Sequence, residues 1–316
     1  MKHILRLASA VALAAVMFAC ERRAPLAPGA APGAPSFSRS TPAQDPVVAK
    51  LQAMNDELLA RGFRVAIEGI DYFTIGAGRP SIRIHQEGLR LVPDDSRRVA
   101  DGDLVTYLVH DGRGATASGL TAAQTSAAID AALSTWDGTQ ALHKVTISKR
   151  TAVADPDLLD DLFGFGNLAD FVPFQATIVD AGWLPREFFE LAGGPGGGRF
   201  ILAFTAPFVF VDDRGNPTDI NGDGYLDVAF SEVYYNDNFG TPGGDRTGNP
   251  WGTNIVLPGI DVQTVALHEN GHALGIGHFG PPPAAVMNPV YAGIRQSPFP
   301  TDLAAMNAVW SSWPHP

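Results

Sequence analysis

The chain has 316 residues, 45% of them hydrophobic and 17% charged, with a formal net charge of −11. That is enough apolar material for one sizeable packed domain, which excludes a wholly disordered chain. The acidic balance argues against nucleic acid or an anionic membrane surface as a partner, and the single cysteine, Cys20, excludes disulfides within the chain.

Lys2 and Arg6 make a short basic start, and the run from Leu7 to Ala19 is almost wholly apolar. Such a run is short for a bilayer span but suits the core of an export signal, so residues 1–19 are expected to be a signal peptide. Cys20 follows directly. Two readings stand: lipid attachment at Cys20, as in bacterial lipoproteins, or ordinary cleavage around Ala19. Either way the expected location is outside the cytoplasm of a bacterial cell, with the membrane a partner only through a lipid anchor. Residues 20–45 are rich in Pro, Ala, Ser and Gly and read as a tether.

Residues 46–61 predict a helix, because Val47, Val48, Leu51, Met54 and Leu58 fall on one stripe and Gly62 follows. Strands are expected at Arg64–Ile67 and Ser81–Ile84. The stretch 46–98 reads as an N-terminal extension or a small prodomain-like region, and 99–316 as the main domain.

Leu104–Val109 predicts a strand. Thr121 and Gln124 have the spacing of a capping box, opening a helix through Ile129, Leu133 and Trp136. Ala141–Ile147 predicts another strand. Asp155–Phe165 and Pro185–Leu191 predict short helices and Gly193–Gly198 a flexible loop; the segment 155–199 suggests no function. Strands are expected at Ile201–Phe204, Phe208–Val211 and Val228–Tyr235. The last is expected at the sheet edge beside a cleft, where an extended peptide can pair with it. Gly243–Pro250 reads as a plain connecting loop.

Between two of these strands, Asp219, Asn221, Asp223 and Asp227 place oxygen side chains around Gly222 and Gly224. That pattern suits a calcium loop, although the glutamate of an EF-hand is missing at Phe230. The same Asn-Gly and Asp-Gly pairs also describe a polar hairpin turn.

The densest chemical signal is His268-Glu269-Asn270-Gly271-His272, followed by Gly275 and His278. Pro258-Gly259 breaks the preceding chain and Asp261 is a suitable helix N-cap. On a helix, His268 and His272 stack one turn apart and can reach one metal ion. Glu269 leaves the helix at another angle and can take a proton from a water at that ion. Gly275 permits the sharp turn that brings His278 back as a third nitrogen ligand. Three ligands leave a coordination position open, which marks a catalytic zinc site.

The segment Val265–His278, followed by Ala285-Val286-Met287-Asn288-Pro289-Val290-Tyr291, resembles the matrixins, the matrix-metalloprotease branch of the metzincins; bacterial secreted members look closest. Thr301-Asp302-Leu303-Ala304-Ala305-Met306 resembles the start of that family's final helix. The resemblance implies an α+β metzincin fold: a twisted mixed sheet with a long backing helix, a zinc-site helix, a Met-turn and a C-terminal helix. It implies His268, His272 and His278 as zinc ligands, Glu269 as general base, Met287 as the floor beneath the metal, and Pro289 and Tyr291 as the wall of a substrate pocket. Two positions depart from the family pattern: Phe279 replaces a usual Ser, and Asn270 a usual Phe. The other histidines, His3, His85, His110, His143 and His315, are too scattered in sequence to suggest a second zinc.

These features lead to an exported zinc endopeptidase acting on protein or peptide substrates. Two other readings stand beside it: a catalytically silent, surface-tethered binding protein that keeps the fold, and a zinc hydrolase acting on a non-peptide substrate.

Overall fold

The computed structural model describes residues 45–311 except 77, 94, 99–103, 143–144, 153 and 242–247. The expected signal peptide, Cys20 and nearly all of the tether lie outside the described residues. Among those described, no helix is long and apolar enough to cross a membrane.

Helix α1 (Pro46–Ala60) is capped by Asp45, whose carboxylate accepts from Val47 N, and it buries the predicted apolar stripe. Four strands follow: β1 (Val65–Ile67), β2 (Gly69–Thr74), β3 (Ile82–Arg83) and β4 (Leu89–Leu91). Strand β5 (Leu104–Val109) leads to α2 (Ala122–Asp137), where the Thr121–Gln124 capping box forms as expected. Then come β6 (Thr146–Lys149), the one-turn α3 (Leu159–Leu162), β7 (Ile178–Leu184), α4 (Arg186–Gly193) and α5 (Gly197–Phe200). Strands β8 (Ile201–Phe210) and β9 (Leu226–Asn236) form a long hairpin. Helices α6 (Val262–Ala273) and α7 (Pro300–Trp310) complete the chain.

One mixed sheet runs in the order β3-β2-β8-β9-β7-β5-β6, with β1 also pairing β8 and β4 also pairing β9. Strands β6, β5, β7 and β9 are mutually parallel, whereas β8 is antiparallel to β9 and β2 antiparallel to β8. Every residue of β7, β8 and β9 is buried. Burial on both faces yields continuous apolar runs instead of alternation.

Two cores result. On one face Ile129, Leu133 and Trp136 of α2 and Val265 and Leu267 of α6 pack with Val105 and Val233. On the other, Val47, Leu51 and Leu58 of α1 and Phe188 and Phe189 of α4 pack against Phe204, Phe208 and Phe230. Phe208 and Phe230 stack at 4.5 Å between ring centroids.

The α+β arrangement holds as expected, and several details differ. Val228–Tyr235 lies inside the sheet between β8 and β7, so it is not the edge strand beside the cleft. The segment 155–199 contains β7, a central strand, and is part of the sheet's framework. Ala141 and Leu142 form a 3-10 turn before β6. Of the expected loop Gly193–Gly198, only residues 194–196 form a connecting turn, because Gly193 closes α4 and Gly197 and Gly198 open α5. Residues 201–210 are one strand, not two. Strands β2 and β4, not foreseen, join the sheet on β8 and β9.

Candidate active site

Asp261 caps α6 by accepting from Thr264 N at 2.9 Å and from Thr264 Oγ1 at 2.6 Å. The helix carries His268, Glu269 and His272 into the first core, all buried. It ends at Leu274 with paired reverse bonds, Gly275 N to His272 O and Ile276 N to Gly271 O. Gly275 has φ +95°, the left-handed conformation that this stop requires. The reversal brings His278 back over the helix.

The three Nε2 atoms converge, at 3.1 Å (His268–His278), 3.1 Å (His268–His272) and 3.0 Å (His272–His278). His268 Nδ1 lies 2.8 Å from the Val286 carbonyl and His272 Nδ1 2.7 Å from the Ile276 carbonyl. A carbonyl only accepts, so in both neutral rings the proton sits on Nδ1 and the Nε2 lone pair faces the shared point. Burial, the largest influence on each ring, lowers the pKa of all three, that of His272 to about 3, which keeps them neutral. Two lone pairs directed at a point shared with the Nε2 of a third neutral ring suit a cation. Ligands at Zn–N distances of ~2.0–2.1 Å in a tetrahedron are separated by roughly 3.3 Å, close to what the rings adopt. The donor set therefore fits zinc.

Glu269 is wholly buried beside the cluster. Its Oε2 accepts from the Thr205 hydroxyl at 2.6 Å, and its Oε1 has no partner. Burial raises its pKa well above the usual carboxylate range, against the hydrogen bond from Thr205.

Met287 is buried beneath α6. A Cβ at Gly271 would lie 2.5 Å from the Met287 sulfur, so any larger residue would have to push the Met287 side chain aside. Asp302, the buried first-turn acid of α7, holds that turn by accepting from Val286 N at 2.9 Å and Met287 N at 3.1 Å. Tyr291 OH accepts from Asp261 N at 2.9 Å, which ties the following segment to the start of α6. Pro289 and Tyr291 are both engaged by β2: Thr74 N donates to Pro289 O at 3.2 Å and Tyr291 N donates to Thr74 O at 2.8 Å. Asn270 turns inward to donate to Ala266 O, and Phe279 is buried with its N–H on Met287 O at 2.9 Å.

Three contacts on the cluster come from far upstream and had no sequence signal. Thr205 of β8 orients Glu269. The Phe73 ring stacks on His268 at 3.8 Å with an interplanar angle of 10°. Ser81 Oγ lies 3.4 Å from His278 Nδ1.

The 219–227 loop is a turn held by its own hydrogen bonds. Asp219 accepts from Asp223 N and Gly224 N, and Asp223 from Tyr225 N. Asp223 also pairs with Arg90, and the buried Asp227 with Arg97. Asn221 donates to Asp223, and its own buried Oδ1 has no partner. Asp219, Asp223 and Asp227 do not form one of the converging groups of potential metal ligands found among the described residues.

A second such group does form elsewhere: folding brings His110 beside Asp155 and Asp157. His110 Nδ1 lies 2.8 Å from Asp157, while Arg113 Nη1 lies 2.6 Å from both Asp157 and the buried Asp160. No local pattern marks this group, because His110 lies over forty positions before Asp155 and Asp157.

The fold and the three-imidazole site define a metzincin zinc metallopeptidase. The family model described as Matrixin matches residues 102–311, two-thirds of the chain. The chain belongs to the matrixin family and is a zinc metalloendopeptidase. Comparison with curated proteins found no match.

Proposed function

We propose that this peptidase is exported and that Glu269 is its general base. The observation that carries the catalytic reading is the convergence of three Nε2 atoms within 3.1 Å of one another, with the Glu269 carboxylate on the same helix. His268, His272 and His278 would hold the zinc. Bound there, zinc supplies a Lewis acid that acidifies water and polarises the scissile carbonyl. Thr205 orients Glu269 and leaves its second oxygen free to accept a proton. A raised pKa makes that carboxylate a stronger base. Glu269 takes the proton of the attacking water and returns it to the leaving amine nitrogen. Met287 supports the cluster from below, and Pro289 and Tyr291 form the wall of the pocket for the residue after the cut.

Export is supported by the basic start at Lys2 and Arg6 and the apolar run to Ala19. Intact mass of the mature protein distinguishes acylation at Cys20 from ordinary cleavage near Ala19.

Glu269→Ala tests the catalytic reading. The variant should keep one zinc per chain and lose cleavage of a generic protein substrate. Substantial remaining turnover would reject Glu269 as the base. A wild-type chain that binds zinc and a hydroxamate but cleaves nothing would support a silent binding protein instead.

A further inference from the structure

The segment between β6 and β7 folds onto the sheet face opposite α6, where Leu158 and Leu159 enter the second core. Strand β9 anchors it. Glu232 accepts from Leu158 N at 2.6 Å and from Leu159 N at 3.0 Å, and Tyr234 OH accepts from Asp160 N at 3.3 Å. This docking buries Asp157 and Asp160 completely and leaves Asp161 only 8% exposed. With Asp155 and Glu232, five carboxylates gather here, and Arg113 is held against two of them.

The partners of these acids run out before their oxygens do. Asp157 is satisfied: His110 Nδ1 lies 2.8 Å from one oxygen and Arg113 Nη1 2.6 Å from the other. Arg113 Nη1 also lies 2.6 Å from Asp160 Oδ2, an ion pair without the alignment of a hydrogen bond. Asp160 Oδ1, both oxygens of Asp161 and Asp155 Oδ1 are buried with no partner. Ionised oxygens buried without donors are strongly unfavourable unless a cation meets them. After burial, the Asp155 charge is the strongest influence raising the Asp161 pKa, which sets these two carboxylates close together.

Gly166 keeps a space open beside them. A Cβ there would overlap Asp161 Oδ1 and lie 2.8 Å from Asp160 Oδ2. The two oxygens therefore converge on the space that a side chain would fill. Gly166 itself is exposed, so an ion can enter from solvent.

We propose that Asp155, Asp160 and Asp161 bind a hard divalent cation of the calcium class, which fastens the 155–171 segment to the sheet. The oxygens left without partners are all carboxylate oxygens, which suit calcium better than a nitrogen-seeking metal. His110 is engaged by Asp157, so it braces the site and is not a ligand. The ion is separate from the 219–227 turn, whose Asp219, Asp223 and Asp227 already accept from backbone N–H groups and from Arg90 and Arg97. It is also independent of the imidazole cluster. In the cation-free chain protons relieve the crowding of these acids, and the cation displaces them on binding.

Calcium titration of the full, zinc-loaded chain by calorimetry, with thermal unfolding in parallel, tests this at neutral pH. At least one calcium per chain should bind. The Tm should rise by about 5–10 °C when free calcium exceeds its Kd about a hundredfold. Asp161→Asn keeps the shape and removes one charged ligand, so it should weaken calcium binding at least about tenfold. Gly166→Ala should weaken it likewise by filling the space. Asp219→Asn, in the separate turn, should bind as wild type does. A folded Asp161→Asn with wild-type calcium affinity would overturn the proposal, whether or not Gly166→Ala folds. Loss of calcium from Asp219→Asn but not from Asp161→Asn would place the ion in the turn and overturn it as well. So would a wild-type chain that binds no calcium, or one that takes up a second zinc in its place.

Discussion

The Thr205 hydroxyl on β8 lies 2.6 Å from the Glu269 carboxylate and 2.9 Å from the Glu269 carbonyl. One side chain thus couples the strand nearest the cleft to both the backbone and the acid of the zinc-site helix. In a wholly buried setting this bond fixes the carboxylate's rotamer and directs its free oxygen.

Replacing Thr205 by Val keeps the shape and removes the donor. A hydrogen bond to a charged group contributes about 1.5–3 kcal/mol, so kcat should fall roughly ten- to a hundredfold. KM and zinc content should stay near wild type, because no ligand is touched. Steady-state peptide cleavage with parallel metal analysis checks this, and an unchanged kcat would remove Thr205 from the mechanism.

Gly271→Ala sets two effects against each other. In an ordinary helix the change stabilises by up to about 1 kcal/mol. Here the new Cβ would come 2.5 Å from Met287 Sδ and 3.3 Å from Trp136 Cζ2, and Met287 is fully buried. Overpacking costs about 1–3 kcal/mol and outweighs the propensity gain. The expected result is a lower Tm and weaker zinc retention; a stabilised variant would show that the Met-turn yields easily.

Zinc removal should destabilise the fold. Without a cation, three ring nitrogens crowd one another at 3.0–3.1 Å. Ligand linkage adds about 4 kcal/mol when free metal exceeds its Kd a thousandfold. Thermal unfolding before and after chelation should therefore show a drop of several degrees, reversed by added zinc. His278→Ala should lower the Tm and blunt its response to zinc.

The acid cluster beneath α3 carries a pH dependence. Burial first, then the neighbouring Asp157 carboxylate, raise Asp160 to about 9, and burial with Asp157 raises Glu232 to about 8. Between the usual carboxylate range and these values the folded chain holds protons that the unfolded chain has released. The contribution is therefore present at acid pH and is lost as pH rises towards 8–9. Asp160→Asn, which mimics the protonated acid, should lose less stability between pH 5 and pH 9 than wild type. Urea unfolding at the two values measures this; identical losses would show that Asp160 ionises normally.

Local signals carried much of this protein. Asp45, Thr121 with Gln124, and Asp261 mark helix starts because capping involves residues only two or three positions apart. His268, Glu269, His272, Gly275 and His278 were legible for the same reason: one helical turn and one reversal span all five. Spacing alone therefore determined the metal chemistry.

Tertiary structure decided what surrounds that chemistry. Strand β7 went unrecognised because burial on both faces erases the period-two pattern, and β9 was misplaced at an edge because neighbours in a sheet are not encoded by adjacent residues. Phe73 meets His268 and Thr205 meets Glu269, although nearly two hundred positions separate the first pair and over sixty the second. Their encounter is set by strand pairing and by the packing of α6 on the sheet, contacts between residues far apart in the chain that no local pattern records.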